Sequence, residues 1–263
     1  MFWKPIPSAE MGLKARRVDG MTRQELDTVE SRELKPAARA MRPRDAATLI
    51  LVERRAGEPF VLMGRRHRRH AFMPGQFVFP GGRTDPADGR IAVAGSLHPD
   101  EEARLIGEGA RASASRARAI ALSAIRETYE EAGLLIGRRQ AFATRSAAWR
   151  GFAEHGVTPS LENLRYIARA VTPPGRVRRF DTRFLAAWRD SVAVELADGG
   201  PTDELEELTW LPIREAMEAD VPAITRTILD DLSKRLAVDP TLSPGAPVPF
   251  YFMRAGRFRR EIL

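Results

Sequence analysis

The chain contains no cysteine. Disulfides, thiolate metal sites and cysteine nucleophiles are therefore excluded, and nothing points to an oxidising compartment. Long apolar runs are missing as well: none approaches the roughly 18 residues that a bilayer-spanning helix needs. Met1–Glu10 lacks the apolar core of a secretory leader, and no internal repeat or low-complexity tract is present. The expectation is a soluble, cytoplasmic protein with no membrane partner. What the chain does hold is ordinary in proportion. Its 263 residues are 43% hydrophobic and 29% charged, enough to bury a core in one large domain or two small ones. Lys and Arg total 42 against 35 Asp and Glu, a net charge of +7. That surplus favours an anionic partner: nucleic acid, an acidic membrane surface or a small phosphorylated ligand.

Residues 1–44 mix charge with Pro and Gly and show no sustained apolar period. They predict a partly irregular N-terminal arm with one short helix around Arg23–Glu33. Residues 45–238 carry the patterned part of the chain. Asp45–Arg55 and Phe60–Met63 predict a hairpin around Ala56-Gly57-Glu58-Pro59, and Gln76–Pro80 a third strand. The polar stretch 83–111 has the look of an insertion. Ala112–Ala132 favours helix, with Gly133 as its stop and Leu122, Ile125 and Tyr129 on an apolar face. Strands are predicted at Leu164–Val171, Arg179–Trp188 and Glu206–Leu211, then helices at Ile213–Ala219 and Ala223–Leu236. A Pro-rich tail, 239–263, follows. Strands and helices without strict alternation argue for a mixed α/β (α+β) domain.

The densest chemistry is Arg126-Glu127-Thr128-Tyr129-Glu130-Glu131-Ala132-Gly133. On a helix Glu127, Glu130 and Glu131 stand at i, i+3 and i+4, and three like charges on one face repel. A hard divalent cation, Mg²⁺ or Mn²⁺, relieves that repulsion because it prefers carboxylate oxygen. A solvated helix end is the plainer alternative. Upstream, Phe79-Pro80-Gly81-Gly82 ends a strand in paired glycines, which let backbone approach a ligand closely or simply make a tight turn.

Together these elements resemble the Nudix hydrolase family, whose box reads G-x5-E-x7-R-E-U-x-E-E-x-G-U with U a bulky aliphatic. Gly82 matches the first glycine; Arg126, Glu127, Glu130, Glu131, Gly133 and Leu134 match the second half in register. Three departures stand out. Gly82 and Arg126 are 44 positions apart, about 30 more than in the family. Thr128 occupies the aliphatic position. The first glutamate is missing: counting forward from Gly82 reaches Asp88, and counting back from Arg126 reaches Arg118. The run from Ala71 to Gly82, with Thr172–Gly175 and Arg178–Phe184, is similar to a branch containing peroxisomal coenzyme A diphosphatases with a long insertion in the box. Of that branch's signature, Leu62, Arg66, Gly75 and Phe79–Gly82 fit. Gly64, His67 and Ala71 stand where Thr, Ser or Ala, and Arg are expected. The resemblance spans roughly Asp45 to Leu236.

The resemblance implies a Nudix-type α/β/α sandwich with a mixed β-sheet, and Mg²⁺- or Mn²⁺-dependent cleavage of a diphosphate linkage in a small nucleotide-containing substrate. Coenzyme A or an acyl-CoA, cleaved to 3′,5′-ADP and 4′-phosphopantetheine, is the leading substrate; NADH and ADP-ribose are the rivals. It also implies that Glu127, Glu130 and Glu131, with the Gly82 carbonyl, hold the cation, and that Arg126 clamps a box carboxylate. The general base is Glu130, Glu127 or a later acid among Asp203, Glu204, Glu206 and Glu207. Within the basic run Arg65–His70, Arg66 is the choice for substrate phosphate, with Arg65 and Gly81 beside it; Arg176, Arg178 and Arg179 form a second basic cluster. Dimers are common in the family, so a homodimer is open. A non-catalytic nucleotide- or RNA-binding protein is the alternative of another class. Nucleic acid is disfavoured, because the basic residues do not alternate with aromatics as in single-strand platforms.

Overall fold

A strand buried on both faces reads as an unbroken apolar run, and Thr48–Val52 is one. The computed structural model describes residues 17–29, 41–67, 75–107, 112–176 and 178–263 and places this run in β1 (Arg44–Arg55). Leu49 and Leu51 face one core; Ile50 and Val52 face another. β1 lies parallel to β8 (Phe180–Trp188) and antiparallel to β2 (Glu58–Arg66). With β7 (Arg165–Val171), β10 (Leu205–Pro212), β11 (Pro249–Arg254) and β12 (Arg257–Ile262), the order is β10-β2-β1-β8-β7-β11-β12. Two short strands join its face edges: β3 (Phe77–Val78) pairs with β2 and β4 (Gly81–Arg83) with β1. A smaller sheet holds β6 (Val157–Pro159), β5 (Leu134–Arg139) and β9 (Val192–Glu195) in that order.

Helices cover both faces of the large mixed sheet, so the architecture is the expected α/β/α sandwich. On one side lie α2 (Pro99–Ile106), α3 (Ala114–Ala132) and the short α4 (Arg150–Glu154), with Leu105, Ile120, Leu122, Ile125 and Phe152 in the core. On the other lie α1 (Arg23–Val29), α5 (Ile213–Glu218) and α6 (Ala223–Val238), with Leu26, Ile213, Ile228 and Leu232 buried. α3 begins at Ser113, whose hydroxyl accepts from Arg116 N–H at 3.0 Å. It ends at Gly133, in the left-handed region at φ 69°, where a side chain would strain. Cβ there would also lie 2.5 Å from the Gly199 backbone.

Two boundaries differ from those read in the sequence. The described part of the arm is not loose: Val18, Met21, Leu26 and Val29 are buried in the second core. Arg17 reaches Asp230, Asp231 and the Tyr251 hydroxyl, which tie it to α6 and β11. The expected helix covers Arg23–Val29; residues 30–33 lie outside the described residues, as do 1–16. Nor is 239–263 a tail. β11 and β12 form a hairpin whose Tyr251 and Phe258 are buried and whose first strand runs parallel to β7. Burial of apolar side chains at both ends explains why the domain includes them. Met21→Ala is therefore expected to lower unfolding free energy by about 2–4 kcal/mol, measured by urea titration; a change under about 0.5 kcal/mol would mean a detached arm.

Candidate active site

The carboxylates sit on the last two turns of α3, and Arg126 is their hub. Its Nη1 meets Glu130 Oε2 at 2.6 Å and Glu127 Oε1 at 2.8 Å. Its Nε donates to Asp88 Oδ2 at 3.1 Å and its Nη2 to the Arg83 carbonyl at 3.2 Å. Burial works against the guanidinium's charge, but Glu127, Asp88 and Glu130 outweigh it and hold it protonated. The clamp expected of Arg126 is thus present in geometry, and it grips two box carboxylates. Thr128, in place of an aliphatic, is fully buried and donates its hydroxyl to the Ala124 carbonyl at 2.8 Å. Its polarity is satisfied within the helix.

The paired glycines fit against this helix. A Cβ on Gly82 would land 2.5 Å from the Glu127 carboxyl carbon. One on Gly81 would land 2.5 Å from Thr48 Oγ1 and 2.7 Å from the Ala47 carbonyl. Close approach, rather than an unusual φ, is what demands glycine here. Gly81 N–H donates to Glu131 Oε2 at 2.9 Å. The amide of Gly81, expected to face substrate, is therefore committed to the buried carboxylate.

The three glutamates do not converge on one point. Among the described residues no set of three or more His, Asp or Glu is gathered to hold a metal ion. The physical reason is that their partners differ: Arg126 draws Glu127 and Glu130, and Gly81 holds Glu131. The donor set still suits a hard cation, being entirely oxygen and crowded. Burial is the largest influence on all three. It pushes Glu127 up to about 7 against the pull of Arg126, pushes Glu131 up to about 8 despite the Gly81 hydrogen bond, and raises Glu130. A fourth carboxylate, Glu204, adds repulsion to each. Its loop is fastened to the end of α3: Thr202 donates N–H and hydroxyl to the Glu130 carbonyl at 3.0 and 2.7 Å. Gly200 permits that contact, since a Cβ there would lie 2.2 Å from the same carbonyl.

The remaining candidates separate clearly. Arg66 lies on the carboxylate side, its Nη2 3.3 Å from Glu204 Oε2, and its Nε is buried without a hydrogen-bond partner. Arg65, one position away on β2, falls on the opposite face. There it pairs with Glu207 at 2.7 Å and stacks 4.4 Å over Phe77, so the structure does not bring it to the site. His67 meets Glu206 at 3.0 Å, while Arg68, Arg69, His70 and Ala71 lie outside the described residues. The second basic cluster is structural: Arg176 is buried against Asp27 at 2.7 Å, and Arg179 donates to the Thr172 and Met41 carbonyls. Arg178 is exposed.

Sequence reasoning left Asp88 without a role; the structure gives it one. Pro86–Arg90 forms a short 3-10 turn, and Asp88 is buried on it beside Arg126. Arg118, the residue reached from the other end of the box, donates to the Gly89 and Ile91 carbonyls at 3.0 and 2.5 Å and pins that turn to α3. So residues 83–91 stay with the site, and only the chain after Ile91 leads away. Its helix α2 packs on α3 and β7, with Glu101 accepting from Tyr166 N–H and Gly245 N–H at 2.8 and 3.0 Å. Within the described residues this stretch packs into the core through Ile91, Leu97 and Leu105; residues 108–111 lie outside them.

No family model matches the chain, and no curated protein matches it. Solved structures do. A NUDIX hydrolase from Alicyclobacillus acidocaldarius is 25% identical, the match covering 76% of this chain and 85% of that one at a TM-score of 0.49. The NUDIX domain of Shewanella oneidensis NrtR, solved with ADP ribose, is 9% identical, covering 74% and 90%, with a TM-score of 0.43. An Ap4A hydrolase of C. elegans is 16% identical, covering 74% and 98%, with a TM-score of 0.39. None of these TM-scores reaches 0.5.

Because Glu127 and Glu131 titrate above the ordinary carboxylate range, the folded chain without added cation holds more protons than the unfolded chain between about pH 4.5 and 8. Stability from this source is greatest at the acid end and falls as pH rises through that window. Melting curves of chelated protein should show wild type losing more between pH 5 and 8.5 than Glu131→Gln does. Parallel curves for the two proteins would contradict the assignment.

Proposed function

We propose that the chain is a divalent-cation-dependent hydrolase of the Nudix type that cleaves a diphosphate linkage in a nucleoside diphosphate derivative. One observation carries the reading: a buried arginine, braced by Asp88, holds two glutamates of the same helix turn while two glycines press against that helix. A surface charge cluster needs none of this, and one guanidinium among Asp88, Glu127, Glu130 and Glu131 leaves negative charge that a cation would balance.

Glu127, Glu130 and Glu131, with the Gly82 carbonyl, are the residues that would hold Mg²⁺ or Mn²⁺. When bound, such a cation acidifies coordinated water and neutralises charge on the diphosphate. Arg126 keeps Glu127 and Glu130 in register on one helix face. Gly81 fixes Glu131. The Arg66 guanidinium, with an unused Nε, binds phosphate oxygens of the substrate and orients them toward the carboxylates. Glu204 is the carboxylate that takes the proton from attacking water, since it is exposed to solvent and meets Arg66 at 3.3 Å, whereas the three helix carboxylates are held at 2.6 to 2.9 Å. Within this class, coenzyme A or an acyl-CoA is the substrate favoured by the partial signature Leu62, Arg66, Gly75 and Phe79–Gly82; Leu62 and Arg66 are on β2, Gly81 and Gly82 on β4, and Gly75 and Phe79 flank β3.

Purified protein with Mg²⁺ should be offered coenzyme A, an acyl-CoA, NADH and ADP-ribose, and the products followed. Release of 3′,5′-ADP is expected from the first two. Turnover of only the others would move the substrate, and turnover of none would overturn the class. Glu130→Gln should lose at least about a hundredfold in kcat with an unchanged melting temperature; wild-type turnover in that variant would refute its role.

A further inference from the structure

Asp88 uses both carboxylate oxygens. Oδ2 accepts from Arg126 Nε at 3.1 Å, and Oδ1 accepts from Trp149 Nε1 at 2.8 Å. Trp149 is wholly buried on the short turn Ala147–Trp149, well past the carboxylate helix in sequence. Its ring packs on Phe152, centroids 5.0 Å apart, and Phe152 meets Tyr129 of α3 edge-on at 5.5 Å. The indole thus has a fixed place against the helix but touches none of the three glutamates by hydrogen bond.

An indole has one donor and no acceptor, so a buried N–H must find an oxygen. Asp88 supplies it, and that bond fixes the roll of the carboxylate. The guanidinium is planar, so anchoring Nε sets the direction of Nη1, which meets Glu127 and Glu130 at 2.8 and 2.6 Å. We propose that Trp149 is a positioning residue for the carboxylate site, acting through Asp88 and Arg126 on Glu127 and Glu130; the inference rests on the function proposed above. It also accounts for aspartate at position 88. Arg118 pins the turn that carries Asp88 at the Gly89 and Ile91 carbonyls. From that fixed backbone the short side chain reaches both partners, and a glutamate, one methylene longer, overshoots one of them.

The test joins kinetics to nitrogen-15 NMR of the tryptophan indoles. Trp149→Phe keeps the ring and removes the donor; Asp88→Asn removes the charge. Each should lower kcat about ten- to a hundredfold with little change in KM. The double variant should be no worse than the worse single, since both break one chain of contacts. Asp88→Glu should fall below wild type. In wild type, Mg²⁺ alone should shift the indole resonance that Trp149→Phe deletes, and Asp88→Asn should abolish the shift. Wild-type kcat in Trp149→Phe, independent losses in the double variant, or an indole blind to Mg²⁺ would each overturn the proposal. If Trp149→Phe does not fold, Asp88→Asn and the wild-type titration decide. A wild type that cleaves no diphosphate counts against the proposed function alone, and the indole response still decides the positioning role.

Discussion

A buried guanidinium must find carboxylates, and the ones that Arg126 finds organise the candidate site. Asp88 comes from a turn after β4, Glu127 and Glu130 from the helix itself. Without Arg126 the last turns of α3 would face β4 with unopposed negative charge, a cost of several kcal/mol in a dry setting. With it, the helix can lie close enough to the sheet for Gly81 and Gly82 to touch Glu131 and Glu127. The glycines are then the complement of the arginine: one brings charge balance, the other removes side-chain bulk. The sheet supplies rigidity, because β4 is held on β1, and β1 is buried on both faces.

The end of the helix is closed from a separate part of the chain. Gly133 stops α3, and the loop at Gly199–Glu204 docks there through Thr202. That docking brings a fourth carboxylate beside the three on the helix. The arrangement concentrates negative charge at one end of α3 and sets Arg66 beside it. The +7 surplus of the whole chain is used differently: Arg118, Arg165, Arg179 and Arg235 donate to backbone carbonyls and hold segments together. Much of the basic excess is thus structural.

The central strands and the carboxylate helix were legible because local pattern and tertiary role agree. Thr48–Val52 is a both-faces-buried run, and Ala112–Gly133 carries its own stop. Both ends of the chain were misread. Val18 and Met21 are isolated apolar residues with no periodic neighbours, so only the packed structure shows their burial. The hairpin at β11 and β12 hides its alternation among arginines; the Ala255-Gly256 turn, with φ of 50° and 74°, was the available signal. The glutamates could be named from spacing and Arg126 from the family resemblance, yet neither could show that one guanidinium nitrogen holds two of them. Asp88 was found by counting, but its partners come from 38 and 61 positions away. Arg65 lies on the other face from Arg66, because neighbouring residues of a strand turn to opposite faces and a basic run conceals that alternation.

The central claim is that Glu127, Glu130 and Glu131, with the Gly82 carbonyl, receive a divalent cation. Diffraction at the manganese absorption edge from crystals grown with Mn²⁺ tests it most directly. An anomalous peak is expected beside Gly82, within coordination distance of Glu127, Glu130 and Glu131, with Arg126 still bound to Asp88. A structure with Mn²⁺ in the solution, no peak at that place and the three glutamates still on Arg126 and Gly81 would contradict it.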